Sequence, residues 1–213
     1  VDHWFGVLLA ELLDGGWLED TIVAVVADHG HSLERGYVGK RGYPAEPEVF
    51  RVPMLLRLPG RLRRGSRYGH IVQHHDLAAT LLESAAVPLP PGADGQSLLT
   101  ALRQRAYTPV RDHAVVAWGP ALLVVDDEWW LSVKVDGSGA VLRRAADPTG
   151  PNLAATHPRV ARQLYRHALH AADHDVPAHL LAAAAAMNDV PDGYPVSLPS
   201  GTSRDNPRPR RRQ

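Results

Sequence analysis

The sequence places a carboxylate and an imidazole side by side where a short apolar segment ends. Residues 22–27 are all apolar, three of them valine, and they are followed by Asp28, His29 and Gly30. A short β-branched run bounded by polar residues is typical of a strand buried on both faces of a parallel sheet. Ligands of open α/β sheets bind beyond the carboxyl ends of the strands, so we expect Asp28 and His29 at such an edge.

Asp28 and His29 could together bind one divalent metal ion. Adjacent side chains of an ideal strand point to opposite faces, but Gly30 gives the chain freedom to turn and bring both onto one ion. A carboxylate oxygen with an imidazole nitrogen suits zinc, manganese, iron or, less typically, calcium. The alternative is structural: Asp28 caps the next segment and His29 is an ordinary loop residue. The tripeptide alone leaves both interpretations open, because short motifs recur by chance.

The segment after this pair is predicted to be a long loop. Residues 31–49 show no sustained periodicity, and glycine and proline recur along them. A loop of this length in a compact domain is usually functional. His31 could contact a substrate or donate a proton there, with an uninvolved loop histidine as the alternative. The other charged side chains that follow the pair most closely are Glu34, Arg35, Lys40 and Arg41.

Composition permits a folded core and excludes several classes of site. The chain has 213 residues, 45% of them hydrophobic, with 23 basic and 23 acidic side chains and no cysteine. The zero net charge gives no overall electrostatic case for nucleic acid binding. Without cysteine there is no disulfide, thiolate metal site or cysteine nucleophile in this sequence. No apolar run approaches the roughly 18 residues that a membrane span needs.

The first half of the chain is predicted to alternate helices and strands, as α/β domains do. A helix over residues 1–14 carries an apolar stripe and ends at two glycines, and a second buried strand covers residues 52–58. Asp76 is expected to be the N-cap of the next helix. Residues 97–104 form a short helix. The chain begins inside a helix, with neither a methionine nor a signal-peptide pattern, so we expect a fragment of a longer protein.

The second half is predicted to form a small antiparallel sheet with two helices. Short β-rich runs cover residues 114–118, 121–125, 129–135 and 140–142, separated by turn residues. Trp129 and Trp130 should lie on opposite faces, with at least one in the core. Helices are expected over residues 158–173 and 176–187. His170 and His174, four residues apart, could clamp a metal, although a polar helix face is the favoured interpretation.

Several segments recur in an order that resembles a known family. They are Asp28-His29-Gly30, Gly39-Lys40, residues 51–60, residues 75–82, residues 94–99, Asp147-Pro148 and residues 152–154. In this order they resemble the C-terminal half of the sulfatase family, within the alkaline phosphatase superfamily. The resemblance covers about residues 1–173. It implies an α/β fold, part of an alkaline-phosphatase-like α/β/α sandwich with a small C-terminal antiparallel sheet plus helices.

The resemblance implies a metal-dependent hydrolase of sulfate, phosphate or phosphonate esters. Asp28 and His29 match the family's Asp-Asn or Asp-His metal pair, and the Asp-His form is similar to that of phosphonate monoester hydrolases and phosphodiesterases. The implied cofactor is one divalent metal, calcium or manganese first, with zinc or iron as further candidates. Lys40 matches a lysine that contacts the sulfate or phosphate group, where a point charge stabilises the anion. The alternative for Lys40 is a solvated loop lysine.

The chain departs from the family at the nucleophile. Family members form formylglycine from Cys or Ser in a Cys/Ser-x-Pro-x-Arg motif, whereas the nearest match here, residues 107–111, has Tyr107 at that position. We interpret this stretch as a linker. The family's early metal aspartates also have no counterpart, and two ligands hold a divalent ion poorly. We therefore expect a partial hydrolase that is inactive alone. The alternative is a non-catalytic remnant or interaction module with the same fold.

These patterns predict four regions. Residues 1–105 would be the C-terminal portion of the sulfatase-like α/β domain, and residues 106–175 a small antiparallel subdomain with a packing helix. Residues 176–195 would form a C-terminal helix and residues 196–213 a disordered basic tail. The expected partner is a small-molecule ester, with no nucleic acid and no membrane span. Oligomeric state and compartment stay open, with the cytoplasm as the default.

Overall fold

The structure is a computed structural model in which residues 1–33, 39–40, 42–60, 62, 65–104 and 108–187 are described. The helices are α1 (Asp2–Asp14), α2 (Pro47–Phe50), α3 (His74–Ser84), α4 (Leu99–Arg103), α5 (Pro158–Ala171) and α6 (Ala178–Ala186). The strands are β1 (Val23–Val26), β2 (Met54–Arg57), β3 (His113–Trp118), β4 (Ala121–Asp126), β5 (Trp129–Lys134) and β6 (Val141–Arg144). The predicted basic tail lies outside the described residues.

The two apolar strands of the first half pair with each other in an antiparallel arrangement. Val23 lies opposite Arg57 and Val26 lies opposite Met54. Burial alternates along β1, and Leu55 of β2 is 59% exposed. The expectation of a strand buried on both faces of a parallel sheet was therefore wrong for the described part of the chain. The physical reason is that an apolar run has no period of two, so it does not show which face is covered or in which direction the partner runs.

Helix α1 has the predicted bounds to within one residue, but its apolar stripe is uncovered. None of its residues is buried, and the Trp4 side chain is 72% exposed. The helix ends where Gly16 takes a left-handed conformation, with φ of 71°, ahead of a 3-10 turn at Trp17–Glu19. Val26 of β1 and Leu55 of β2 are exposed as well, so α1, β1 and β2 all present apolar side chains to solvent in the described part of the chain.

Asp76 has a different role from the one expected. Helix α3 begins two residues earlier, at His74, with Gln73 as its N-cap. Asp76 Oδ2 accepts a hydrogen bond from the Gln73 backbone N–H at 2.8 Å, which is the reaching-back half of a capping box. Asp76 Oδ1 accepts another from the Gln96 backbone N–H at 2.9 Å. The side chain thus joins the start of α3 to the segment before α4.

Arg111 completes the surroundings of this buried carboxylate. Asp76 is fully buried, and Arg111 donates to both of its oxygens, from Nε to Oδ2 at 2.8 Å and from Nη2 to Oδ1. Arg111 Nη1 also donates to Gln73 Oε1 at 3.2 Å, and Nη2 to His75 Nε2 at 3.0 Å. A bidentate pair of this kind is strong and directional. The residues interpreted as a plain linker therefore carry the arginine that fastens the small sheet to α3.

The small sheet matches the prediction in strand number and direction. Its order is β3-β4-β5-β6, and every neighbouring pair is antiparallel. Helix α5 covers one face, with Leu122, Leu131 and Leu164 in the shared core. The tryptophans do lie on opposite faces, but both are buried: Trp129 belongs to this core, and Trp130 packs with Ala45 and Leu123 on the other face. The sheet is covered on both sides.

Ala45 fixes the small sheet against the loop that precedes α2. Trp130 Nε1–H donates to the Ala45 carbonyl oxygen at 3.0 Å, and Ser132 Oγ accepts from the Ala45 backbone N–H at 2.8 Å. Both backbone groups of this fully buried residue are therefore satisfied by one strand, β5.

No helix in the described part of the chain is long and apolar enough to cross a bilayer.

Loss of the Asp76 carboxylate is expected to destabilise the fold strongly. Asp76→Ala leaves the Arg111 guanidinium largely buried without its counter-charge, which costs about 3–5 kcal/mol. Urea unfolding of the 213-residue chain, followed by circular dichroism, measures this. The matched control is Glu128→Ala, whose pair with Arg144 at 3.6 Å is solvent-exposed and contributes less than about 1 kcal/mol. Equal losses in the two variants would contradict the structural role of Asp76.

The contact between α5 and β3 predicts a loss of stability in acid. Burial lowers the pKa of His167, and the adjacent His113, with ring centres 4.3 Å apart, lowers it further, against the raising effect of Asp112 and Asp126. Arg166 also lowers it. The folded chain therefore binds fewer protons at His167 than the unfolded chain, so the free energy of unfolding falls as pH drops below about 6.5.

This acid sensitivity can be measured by comparing unfolding at about pH 7.5 and about pH 5.5, on either side of the ordinary histidine pKa. We expect His167→Gln to reduce the difference between the two conditions. His170→Gln, on the exposed side of the same helix, should retain the wild-type difference. An unchanged difference in His167→Gln would show that other groups cause it.

Candidate active site

The Asp28-His29-Gly30 segment lies where three parts of the fold meet. It follows the end of β1, and the Gly30 backbone N–H donates to the Val49 carbonyl oxygen at 2.8 Å. His74 Nε2, at the start of α3, donates to the Ala27 carbonyl oxygen at 2.8 Å. Trp118, at the end of β3, packs against the His29 ring. The segment is therefore fixed by long-range contacts rather than by β1 alone.

The structure brings the side chains of Asp28 and His29 together. His29 Nε2 lies 3.3 Å from Asp28 Oδ2. The His29 side chain is only 15% exposed, whereas the Asp28 side chain is 86% exposed. The His29 backbone N–H donates to Asp28 Oδ1 at 2.8 Å, and this bond is the main cause of a lowered Asp28 pKa. Burial opposes that effect, and the charges of His29 and Lys40 add to it. Asp28 is consequently a carboxylate at neutral pH.

The other ring nitrogen of His29 sets the tautomer. Nδ1 lies 2.8 Å from the Gly30 carbonyl oxygen, and because a carbonyl only accepts, the proton is on Nδ1. In the neutral ring Nε2 then presents a lone pair toward the Asp28 carboxylate. Two acceptors at this separation would both be satisfied by a cation shared between them, either a proton on Nε2 or a metal ion. Histidines that bind metals commonly have this arrangement, with the distal N–H donated to a backbone carbonyl.

The pair fits a divalent ion as two of its ligands, and the described residues supply no more. No group of three or more His, Cys, Asp or Glu side chains that could hold a metal occurs among the residues that the structure describes. A divalent ion in a protein takes at least three or four ligands. The exposed Asp28 carboxylate can still accept an ion whose other ligands come from elsewhere.

Gly30 is required for a different reason from the one expected. Its φ is not positive, so the left-handed conformation is not what the turn demands. Instead the backbone of α2 approaches so closely that a Cβ on Gly30 would lie 1.8 Å from the Glu48 carbonyl oxygen. The absence of a side chain lets the segment pack directly on α2.

The two loop residues predicted to contact substrate lie close to the pair. The His31 ring is 5.5 Å from the His29 ring, centre to centre, and its side chain is exposed. Ser32 and Gly39 exchange backbone hydrogen bonds of 2.9 and 3.2 Å. These bonds hold Gly39 beside Ser32, and Lys40 is the next residue in the chain. Lys40 is exposed, and its charge is one of those that lower the Asp28 pKa. Glu34, Arg35 and Arg41 lie outside the described residues.

Two residues that touch the site were not identified from the sequence. They are His74 and Trp118, of which the sequence indicated only that Trp118 ends a β-rich run. Their contacts with Ala27 and His29 join positions 47 and 89 residues apart in the chain, which no local pattern shows. By contrast, the His170 and His174 rings, 6.3 Å apart, have no third ligand among the described residues.

Comparisons with known proteins agree with the fold. The sulfatase family model matches residues 1–87. The chain is 36% identical over 115 residues to the extracellular sulfatase SULF-1 homolog of Drosophila melanogaster, which is 54% of this chain and 10% of that protein. It is 34% identical over 110 residues to the N-acetylglucosamine-6-O-sulfatase of Bacteroides thetaiotaomicron, 51% of this chain and 19% of that protein. The chain thus matches less than a quarter of each of these relatives.

Solved structures extend the similarity to 80% of the chain. One, a complex with its substrate D-glucosamine-2-N,6-O-disulfate, superposes with a TM-score of 0.69 at 26% identity over 80% of this chain and 38% of its own. The phosphonate monoester hydrolase of Silicibacter pomeroyi gives a TM-score of 0.65 at 22% identity over 80% and 39%. The α/β architecture expected from the sequence is confirmed by these structures.

Gly30→Ala is expected to disturb the site through packing. The new methyl group would collide with the Glu48 carbonyl oxygen, so either the Asp28-His29 segment or α2 must shift, at a cost of about 1–3 kcal/mol. Thermal and urea unfolding measure the loss. Gly69→Ala is the control, because nothing lies within 4 Å of a Cβ there and its φ is not positive. A Gly30→Ala variant as stable as Gly69→Ala would refute the close approach.

Proposed function

Because the chain is a sulfatase-type protein of the alkaline phosphatase superfamily, we propose that it supplies the Asp28-His29 metal pair of a hydrolase acting on sulfate esters. The observation that carries the proposal is the meeting of Asp28 Oδ2 and His29 Nε2 at 3.3 Å, with Nδ1 bonded to the Gly30 carbonyl. This leaves two electron-pair donors close enough to share one cation. A solvated loop histidine would not need its ring held on one side by a backbone carbonyl and on another by an indole.

Each of the site residues has a distinct chemical part in this proposal. When bound, a divalent ion would polarise the ester oxygens and offset their charge. Asp28, ionised at neutral pH, and His29 would hold that ion. Lys40 would place an ammonium group against the non-bridging oxygens of the transferring group, where charge accumulates. His31, next to His29, would contact the ester or pass a proton to the leaving group.

We further propose that the ion is calcium or manganese, with zinc and iron as alternatives. Members of this family generally use a divalent metal. Manganese accepts both carboxylate oxygen and imidazole nitrogen, whereas calcium prefers oxygen and would rely more on Asp28 and on ligands from elsewhere. The exposed position of Asp28 is compatible with either ion.

The substrate class follows from the relatives. One relative is named as an N-acetylglucosamine-6-O-sulfatase, and one similar structure contains a sulfated glucosamine as its substrate. We therefore propose a small sulfate ester, with sulfated sugars as the first class to test. A phosphate or phosphonate ester is the second candidate, because the Asp-His form of the metal pair favours it.

The active unit in this proposal is larger than the described fold. Helix α1 and the outer side of β1 and β2 expose an apolar surface that water disfavours. The described residues also supply no third His, Cys, Asp or Glu ligand to the pair, and the sequence has no Cys/Ser-x-Pro-x-Arg motif. We propose that additional chain of the same domain type packs on this surface and brings the nucleophile and the remaining ligands. A non-catalytic module with the same fold is the alternative, favoured by the absence of a third ligand among the described residues.

Metal binding and hydrolysis test this function separately. Titration of the 213-residue chain with Mn²⁺, followed by electron paramagnetic resonance, should show weak binding that Asp28→Ala and His29→Gln each reduce at least about tenfold. Asp14→Ala, an exposed carboxylate at the end of α1, is the control and should bind as the wild type does. The chain alone should not hydrolyse an aryl sulfate.

In the product of the complete gene, Asp28→Ala should abolish metal-dependent hydrolysis of the same aryl sulfate. Retained activity in this variant would overturn the assignment of the metal pair. Wild-type binding of Mn²⁺ without any hydrolysis by the complete product would favour the non-catalytic module.

A further inference from the structure

Trp118 places part of the small sheet directly beside the proposed metal pair. It is the last residue of β3, opposite Ala121 of β4, so it stands at the turn between these strands. The ring centres of Trp118 and His29 are 6.0 Å apart and their planes are inclined by 85°. This edge-to-face geometry is the favoured arrangement for aromatic pairs. In the described part of the chain, the sheet that carries Trp118 shares no strand pairing with β1.

The indole is itself tightly held. Its other neighbours include Phe50, with ring centres 5.7 Å apart and planes inclined by 81°. On a further side the backbone of Gly42 lies so close that a Cβ there would be 2.1 Å from Trp118 Cδ1. The indole is packed against α2 and against this glycine and has little room to move. It can therefore hold the His29 ring, which it contacts, in one orientation.

The His29 ring needs a second contact of this kind to fix its orientation. The hydrogen bond from Nδ1 to the Gly30 carbonyl fixes one atom of the imidazole but leaves the tilt of the ring plane about that bond free. The perpendicular contact with Trp118 removes this freedom. With both restraints present, Nε2 is directed at Asp28 Oδ2. Without the indole, the ring could tilt away or exchange its two nitrogens.

We propose that Trp118 is a positioning residue that holds the His29 ring with Nε2 facing Asp28. Its importance for metal binding rests on the proposed function, but its effect on the ring does not. The alternative is that Trp118 only fastens β3 to α2. The two roles can be distinguished by experiment. A residue that only connects β3 to α2 would change the stability of the fold without changing the orientation or the tautomer of the His29 ring.

The first test is the tautomer of His29 in the metal-free chain. Long-range proton–nitrogen correlation spectra at about pH 8, above the ordinary histidine pKa of about 6.5, report which ring nitrogen carries the proton. We expect protonated Nδ1 and unprotonated Nε2 in the wild type and in Trp118→Phe, which keeps an aromatic edge. Trp118→Leu should give mixed tautomers. Gly42→Ala, which displaces the indole without removing it, should shift the same signals.

A matched control separates this role from general loss of a tryptophan. Trp129 belongs to the same sheet and is buried, but it packs on His157 and Arg144 instead of His29. Trp129→Leu should lower stability and leave the His29 signals unchanged. If Trp118→Leu does not fold, the comparison of Gly42→Ala with Trp118→Phe decides the question.

The second test is the affinity for Mn²⁺. Residues that orient a metal ligand typically change affinity by about 10–100-fold, so we expect Trp118→Leu to bind at least about tenfold more weakly, with rescue in Trp118→Phe. Unchanged His29 signals and unchanged affinity in Trp118→Leu would overturn the proposal. If the wild type binds no Mn²⁺ but its His29 signals respond to the Trp118 substitutions, the proposed function fails and the positioning role stands.

Discussion

The buried carboxylate of Asp76 is the interaction on which the geometry of the site depends. It accepts hydrogen bonds from the backbone N–H groups of Gln73 and Gln96 and from Nε and Nη2 of Arg111. Burying a charge is expensive, and it is tolerated here because every lone pair of the carboxylate has a donor. The two elements that Asp76 joins are those that reach the Asp28-His29 segment: α3 carries His74, and the chain beyond Arg111 becomes β3 with Trp118.

A second set of contacts holds the small sheet on the face that α5 does not cover. Ala45 is held through both its backbone groups, by Trp130 and by Ser132. The residues just before Ala45 include Gly42, which packs on Trp118, and Lys40, whose charge acts on Asp28. The loop that carries the proposed anion contact is therefore anchored by a strand nearly ninety residues further along the chain. Function in such a site depends on the rigidity of elements that supply none of its reacting groups.

Local patterns were sufficient to predict the parts of the fold that local physics decides. Short β-rich runs with turn residues between them predicted β3 to β6, and they also placed Asp28 directly after an apolar strand. The role of Asp28 as a metal ligand stays a prediction. The pairing of β1 with β2 could not be predicted, because an unbroken apolar run has no face that fixes direction or register. An aspartate near a helix start suits both the N-cap and N3, so Asp76 was predicted to be the N-cap although it occupies N3, three positions further along. Gly30, His74 and Trp118 act through contacts between distant segments, which a sequence does not display.

The site lies on the border between a covered and an open part of the molecule. His29 is held by the Gly30 carbonyl and by Trp118, which itself packs on Phe50, and it is mostly buried. Asp28 is exposed to solvent and closely follows β1, which exposes apolar residues as β2 and α1 also do. A metal ion held by both would have its histidine ligand fixed in advance and its carboxylate ligand free to adjust. Because the His29 side chain is mostly buried, further ligands would reach such an ion from the solvent around Asp28. Asp28 lies two residues after Val26 of β1, which is exposed, so additional chain packed on the outer face of β1 would lie close to the metal pair.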